Sequence, residues 1–240
     1  MKIVSPHRWD VSPSEAKEIQ QGLRSRVSTE RIFGQASTVA GVDVSIKGKV
    51  ARAAIVVLSY PELTPLDYSL AELAVEFPYI PGLLAFREAP PVLAALEKLK
   101  TEPDLFIFDA QGLAHPRRLG LATHLGVIID KPCIGCAKSR LWGNHDQPGP
   151  QRGSFTHLYD GDEAACASEI IGAVVRTRTN VNPLYVSIGH QVDLPTAIEY
   201  VLGCCTKYRL PETTRYAHRV AGGGKMEVGG KRANEHSTTN

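Results

Sequence analysis

The sequence predicts one α/β domain built on a mixed β-sheet flanked by helices. Three observations predict it. An early run of apolar alternation turns back on itself at Lys47-Gly48, as a β-hairpin does. Further along, short apolar runs of strand length alternate with stretches of helical periodicity. The chain has 240 residues, 43% of them hydrophobic, which is enough for one full core. Antiparallel strands followed by alternating strands and helices argue for a mixed sheet.

The elements follow in order. Ser12 or Ser14 caps a first helix that places Ala16, Ile19, Gln20 and Leu23 on one side. Thr38 to Ile46 reads as a strand, with Ala40, Val42, Val44 and Ile46 on one face and Asp43 and Ser45 on the other. Val50 to Tyr60 is its returning partner, and Tyr68 to Phe77 is a third strand. Phe77-Pro-Tyr-Ile-Pro-Gly82 is a loop stiffened by two prolines. A helix is expected within Ala89 to Lys100, with Pro90 and Pro91 in its first turn. Leu105 to Phe108 and Cys133 to Ala137 read as buried strands, and Arg118 to Leu125 as a helix. Arg140 to Gly153 is loop-like, and Ala165 to Arg178 and Pro183 to Ile188 supply further strands. Asp193 caps a helix to about Cys204, and Pro211 opens a short one. The domain is expected to span residues 1–221. Residues 222–240, glycine-rich and then polar, are expected to form a disordered tail.

Composition excludes several classes. Charged residues make up 22% and the formal net charge is +2, so bulk charge neither requires nor forbids a nucleic-acid partner. Five cysteines, an odd number, do not form a secreted disulfide framework. No run approaches the ~18 apolar residues of a membrane span, and Met1 to Asp10 has no signal core. The expectation is a cytoplasmic protein with no membrane association and no inferable protein partner.

Three carboxylates stand where a purely structural role is weak. Asp43 interrupts a strand, Asp109 ends the run Leu105-Phe-Ile-Phe108, and Glu88 precedes Ala89-Pro-Pro91 at a helix entrance. A carboxylate at the end of a buried strand costs free energy unless it is paired, hydrogen-bonded or metal-bound. On neighbouring strands, Asp43 and Asp109 converge, Glu88 completes the site, and Mg²⁺ suits three oxygen ligands. The plainer alternative is that such aspartates cap helices or accept loop amides, and that Glu88 favours a helix N-terminus.

The same residues resemble a family. Val39-Ala-Gly-Val-Asp-Val-Ser45, Pro78-Tyr-Ile-Pro-Gly82, Phe86-Arg-Glu88, Asp109-Ala-Gln-Gly-Leu-Ala-His-Pro-Arg117, Gly135-Cys-Ala-Lys138, Gly189-His190 and Leu210-Pro-Glu-Thr-Thr-Arg-Tyr-Ala-His218 stand in the order of the endonuclease V motifs. The resemblance runs from about Val11 to Arg219. It implies an RNase H-like fold with a five-stranded type of sheet. It implies Mg²⁺-dependent hydrolysis, with Mn²⁺ substituting, of the second phosphodiester bond 3′ to a deaminated base, typically hypoxanthine, leaving a 3′-hydroxyl and a 5′-phosphate. The implied partner is DNA carrying deaminated bases, in DNA repair, with inosine-containing RNA as the alternative.

Carried over by position, the resemblance implies that Asp43 and Asp109 are metal ligands and Glu88 the third acidic member. His218 falls near the metal, and Lys138 at the scissile phosphate, where an ammonium suits developing negative charge. Tyr79 matches the wedge aromatic, with Ile80 beside it. An aromatic on a stiff loop can fill the gap left by an extracted base. Gly82, Leu84 and Gly120 match the base pocket, with backbone N–H groups reading hypoxanthine O6 and rejecting adenine N6. His115 follows the second aspartate motif and is placed with the substrate-binding residues, a structural hydrogen bond to a nearby loop being equally open. Ala110, Ile188 and Thr213 depart from the family pattern, and none is a proposed ligand.

Two further readings stay open. A non-catalytic binder of deaminated sites would not need all three carboxylates. A thiol redox protein would use Cys133 and Cys136, but that pair lies in an expected buried strand, away from the helix N-terminus that activates thiols. Arg117-Arg118 is expected to meet phosphate or to lie exposed.

Overall fold

The computed structural model describes residues 3, 6–161, 168–228 and 231–232. Its strands are β1 (Thr38–Lys47), β2 (Val50–Ser59), β3 (Pro65–Ala74), β4 (Leu105–Phe108), β5 (Cys133–Ala137), β6 (Phe155–Asp160), β7 (Glu169–Val175), β8 (Leu184–His190), β9 (Glu227–Val228) and β10 (Lys231–Arg232). The helices are α1 (Pro13–Leu23), α2 (Leu84–Lys98), α3 (Leu121–Ile129), α4 (Leu194–Cys204) and α5 (Glu212–Ala221). One mixed sheet runs in the order β3-β2-β1-β4-β5-β8-β7-β6. The expected five-stranded unit is its first part: β1, β2 and β3 are antiparallel, while β1, β4 and β5 are parallel. Three more antiparallel strands widen it to eight.

Both faces of the sheet are covered. Ala40, Val42, Ile55, Phe106 and Phe108 pack with α2 and α3 on one face. Val39, Val56, Ile107, Ile134 and Val186 pack with α4 and α5 on the other. This explains why β1 and β4 are buried on both sides and read as nearly continuous apolar runs. No helix among the described residues is long and apolar enough to cross a membrane.

Helix α1 forms as its sequence dictates. Ser12 Oγ accepts from the Glu15 amide, and Glu15 returns the bond to the Ser12 amide at 2.8 Å, a closed capping box. Its buried face is Ala16, Gln20 and Leu23.

Helix α2 departs from expectation. It begins at Leu84, so Pro90 and Pro91 lie inside it and Glu88 is in its second turn, not at its entrance. An interior proline removes a hydrogen bond and costs about 3 kcal/mol or more. Burial of Ala85, Ala89, Val92, Leu93 and Leu96 against the sheet offsets that cost. Helix α3 is shifted the other way and starts at Leu121. Arg118 precedes it with φ +57° and is 4% exposed, ion-paired with Asp160 and Glu169. It is therefore neither a phosphate contact nor an exposed arginine.

Of the expected strand Ala165–Arg178, residues 162–167 lie outside the described ones, as does Cys166. Within the expected tail, Met226 is buried in the α4/α5 core and β9 pairs with β10. Residues 229–230 and 233–240 of that tail lie outside the described residues.

Helix α5 sits unusually close to β1. A Cβ on Gly41 would overlap the backbone carbonyl of Thr213. Only a bare α-carbon lets the first turn of α5 rest on the strand two residues before Asp43. Gly41→Ala is expected to destabilise by about 3 kcal/mol, the upper part of the overpacking range, because backbone and not a flexible side chain must yield. Thermal melts check this. An unchanged melting temperature would mean that α5 is free to move away.

Candidate active site

The topology brings the acidic residues together. Val42 on β1 is the register partner of Phe108 on the parallel strand β4, so the next residues, Asp43 and Asp109, emerge side by side. The Asp109 amide donates to the Val42 carbonyl at 3.0 Å and fixes that junction. Strand β5 ends at Ala137, placing Lys138 beside them at the same end of the sheet. The third parallel strand thus supplies the cation to a site whose anions come from the first two. Brought in by α5, His218 Nδ1 lies 2.9 Å from Asp43 Oδ2. Lys138 Nζ is ion-paired with Asp109.

Burial and mutual repulsion work against ionisation of the clustered carboxyl groups. Burial, then the negative charge of Asp109, raises the Asp43 carboxyl above its usual range, opposed by its hydrogen bond with His218. Burial and the Asp43 charge push Glu88 up to about 8, so Glu88 holds a proton at neutral pH. With Glu88 protonated, the two remaining carboxylates face Lys138 and the His218 imidazole. Among the described residues, no three acidic, His or Cys side chains already stand in a group able to hold a metal ion. The donor set is nevertheless all-oxygen and its carboxyl groups repel one another, which fits a hard divalent cation.

All eleven residues singled out in the sequence line one cleft of about 700 Å³: Asp43, Tyr79, Ile80, Gly82, Leu84, Glu88, Asp109, His115, Gly120, Lys138 and His218. The loop at its rim is held at both ends. Arg87 donates to the Phe77 carbonyl at 3.0 Å. At the other end the Gly82 carbonyl, on a residue with φ +80°, accepts from Gln20, His115 and Arg117 at 3.1, 2.9 and 2.7 Å. Phe77, Leu83 and Phe86 anchor the base of the loop on Ala16 of α1. Tyr79 stands out from this clamped loop, 70% exposed.

His115 therefore holds the loop. Its Nε2–H donates to the Gly82 carbonyl, and its Nδ1 accepts from the Arg117 amide at 3.1 Å. That tautomer is neutral, and burial lowers the imidazole to about 4. Gly120 has no side chain because the backbone of Gln111 and Gly112 fills the space a Cβ would need. The close approach expected there for a purine is made first by the protein's own loop.

Sequence reasoning missed Gln20, read only as part of a helix's inner face. It is 1% exposed, lines the cleft and bonds three groups. A buried glutamine on an otherwise apolar helix stripe was the available signal.

The thiols are not activated. Cys133 and Cys136 pack on opposite faces of the sheet, Cys133 with the α2/α3 layer and Cys136 with the α4/α5 layer. Burial raises the pKa of both, and pushes Cys205 up to about 12. This removes the basis for a redox role.

Known proteins resemble this chain in sequence and fold. Residues 21–219 match the family model described as Endonuclease V. Endonuclease V of Roseiflexus sp. (strain RS-1) is 52% identical over 218 residues, covering 91% of this chain and 96% of that protein. The crystal structure of Endonuclease V from Streptomyces avermitilis is similar with a TM-score of 0.83 at 40% identity, covering 92% of this chain and 96% of that one. Ciona intestinalis Endonuclease V, in complex with a 24mer DNA containing an inosine followed by a ribo-adenosine, gives a TM-score of 0.75 at 29% identity, covering 87% and 95%.

Proposed function

The chain belongs to the endonuclease V family, and on that premise we propose that it is a metal-dependent endonuclease that cuts DNA next to a deaminated base as a step of repair. The bond hydrolysed is the second phosphodiester 3′ to the lesion, and the products are a 3′-hydroxyl and a 5′-phosphate. The observation that carries this reading is the juxtaposition, in one cleft, of three mutually repelling carboxyl groups with an exposed aromatic on a clamped loop. The fold is of the RNase H-like type, and the protein acts in the cytoplasm.

Asp43 and Asp109 hold the metal, with Glu88 as the third acidic member; Mg²⁺ is the natural choice and Mn²⁺ substitutes. When bound, such an ion activates water and stabilises the leaving oxygen. The chain's own residues do the rest. Lys138, released from its ion pair with Asp109, meets the scissile phosphate and offsets its growing negative charge. The water oxygen bonds to phosphorus as the P–O3′ bond breaks, and the proton given up by the water ends on the departing 3′-oxygen, leaving a 3′-hydroxyl and a 5′-phosphate. His218, 67% exposed beside Asp43, holds that carboxylate in orientation. Tyr79 occupies the gap from which the deaminated base is drawn into the pocket beside Leu84 and Gly120. Beyond Lys138 a second groove is lined by Tyr208, Arg209 and Arg215, with the Arg215 guanidinium 3.4 Å over the Tyr208 ring, a surface suited to phosphates and bases.

RNA is the second reading, favoured by the ribo-adenosine that follows inosine in the strand bound by the Ciona protein. Matched DNA and RNA oligonucleotides, each with one inosine, are to be cleaved side by side with Mg²⁺ and with chelator. The expected result is Mg²⁺-dependent cleavage of the DNA and none with chelator. Cleavage of RNA alone transfers the proposal to inosine-specific RNA cutting. Chelator-resistant cleavage contradicts the metal assignment.

A further inference from the structure

Gln20 ties together two walls of the cleft that no neighbouring backbone bond joins directly. Its Nε2 donates to the Gly82 carbonyl and to the Leu119 carbonyl, both at 3.1 Å. Gly82 ends the loop that carries Tyr79 and leads into Leu84, and Leu119 precedes Gly120. Its Oε1 accepts from Arg117 Nε at 2.6 Å, and the same arginine donates through NH2 to the Gly82 carbonyl. The Leu119 carbonyl, for which Gln20 supplies the donor, and the Arg117 guanidinium, for which it supplies an acceptor, fix which way the amide points.

Glutamine alone among the side chains meets this demand. Glutamate keeps the length and the acceptor but has no donor, and it sets negative charge against two carbonyl oxygens. Methionine keeps the volume and loses every bond. Asparagine is one methylene short. The carboxamide is 1% exposed, so it acts at low dielectric, where an unmade bond is costly.

We infer that Gln20 is a positioning residue: it sets the width of the base pocket by fixing the Gly82 wall to the Leu119–Gly120 wall. This rests on the proposed function, since the pocket matters only if a base enters it. Readout by backbone groups tolerates little displacement, because rigid N–H donors cannot follow a base as a side chain can. A pocket that breathes admits the deaminated base more loosely and distinguishes it less well from adenine. The carboxylates lie on β1, on the end of β4 and within α2, none of them bonded to Gln20, so the chemical step at saturation is untouched.

The test uses the full chain with Mg²⁺ and duplexes that carry inosine or adenosine at one position. Gln20→Met and Gln20→Glu are compared with the parent and with Val201→Ala, a cavity variant in α4, remote from the cleft, that lowers stability without touching it. For both Gln20 variants KM for the inosine duplex is expected to rise about tenfold or more, since even small misplacement of a binding group is costly, with kcat within about twofold of the parent. Their preference for inosine over adenosine falls in step, and Val201→Ala keeps the parental KM. Parental KM in both Gln20 variants overturns the inference, and so does an equal rise in Val201→Ala, which would make it a general effect of lost stability. A parent that cuts neither duplex sinks the proposed function itself, and the inference with it.

Discussion

Asp109→Asn is expected to lower kcat by at least about a thousandfold, roughly 4 kcal/mol of barrier at 1.36 kcal/mol per factor of ten. The substitution keeps the shape of a side chain that is 9% exposed and leaves the Asp109 amide bonded to Val42. What it removes is the charge of one of the two carboxyl groups at the junction of β1 and β4, and with it the ion pair to Lys138. The part of the cleft proposed to take the base, between the Tyr79 loop and the Leu119–Gly120 wall, is not touched. Binding of an inosine-containing duplex, followed by fluorescence anisotropy, should therefore stay within a few-fold of the parent. A variant that cuts at the parental rate would remove Asp109 from the reaction. A variant that loses binding as completely as cleavage would mean that the substitution had disturbed the cleft as a whole.

Glu88→Gln is expected to abolish cleavage and, in the absence of metal, to make the protein more stable. The sign follows from proton counting. The Glu88 carboxyl sits near 4.5 in an unfolded chain and at about 8 in the fold. Between those values the native state binds more protons than the unfolded one, so parental stability falls as pH rises through that window and levels off above it. Glutamine carries no such dependence. In chelator, the gain in melting temperature should be close to nothing near pH 4.5 and largest above pH 8. A domain of this size shifts by roughly 2–4 °C per kcal/mol, so melts at the two pH values resolve it. An equal gain at both would contradict the picture of a buried proton held by the Asp43 charge. The pairing of higher stability with lost activity is what a site kept under strain for metal binding requires.

Much of this was legible in the chain because it is local. The Ser12–Glu15 box, the Asp193 cap with its side chain accepting from the Thr196 amide, and the Lys47-Gly48 turn all act within a few residues. Asp43 and Asp109 stood out because a carboxylate beside an apolar run has few structural reasons to be there. What escaped is non-local. Strand β6 has only Leu158 fully buried, so its pattern is too weak to mark it, and pairing with β7 makes it a strand. Arg118 is buried because its acidic partners lie 42 and 51 residues further along. The start of α2 was misplaced because two prolines outweighed, in one dimension, an apolar face that only the sheet reveals. Gln20 was invisible as a positioning residue because its two carbonyl partners are 62 and 99 residues away.

The central claim is that this cleft cuts a strand at a fixed distance from a deaminated base. The most direct measurement is cleavage of an end-labelled duplex with one inosine, with and without Mg²⁺, mapped to the nucleotide. The account predicts a single Mg²⁺-dependent nick at the second phosphodiester 3′ to the inosine, with a 3′-hydroxyl and a 5′-phosphate at the break. Cuts scattered along the strand, or at equal rate in the duplex without inosine, would contradict it.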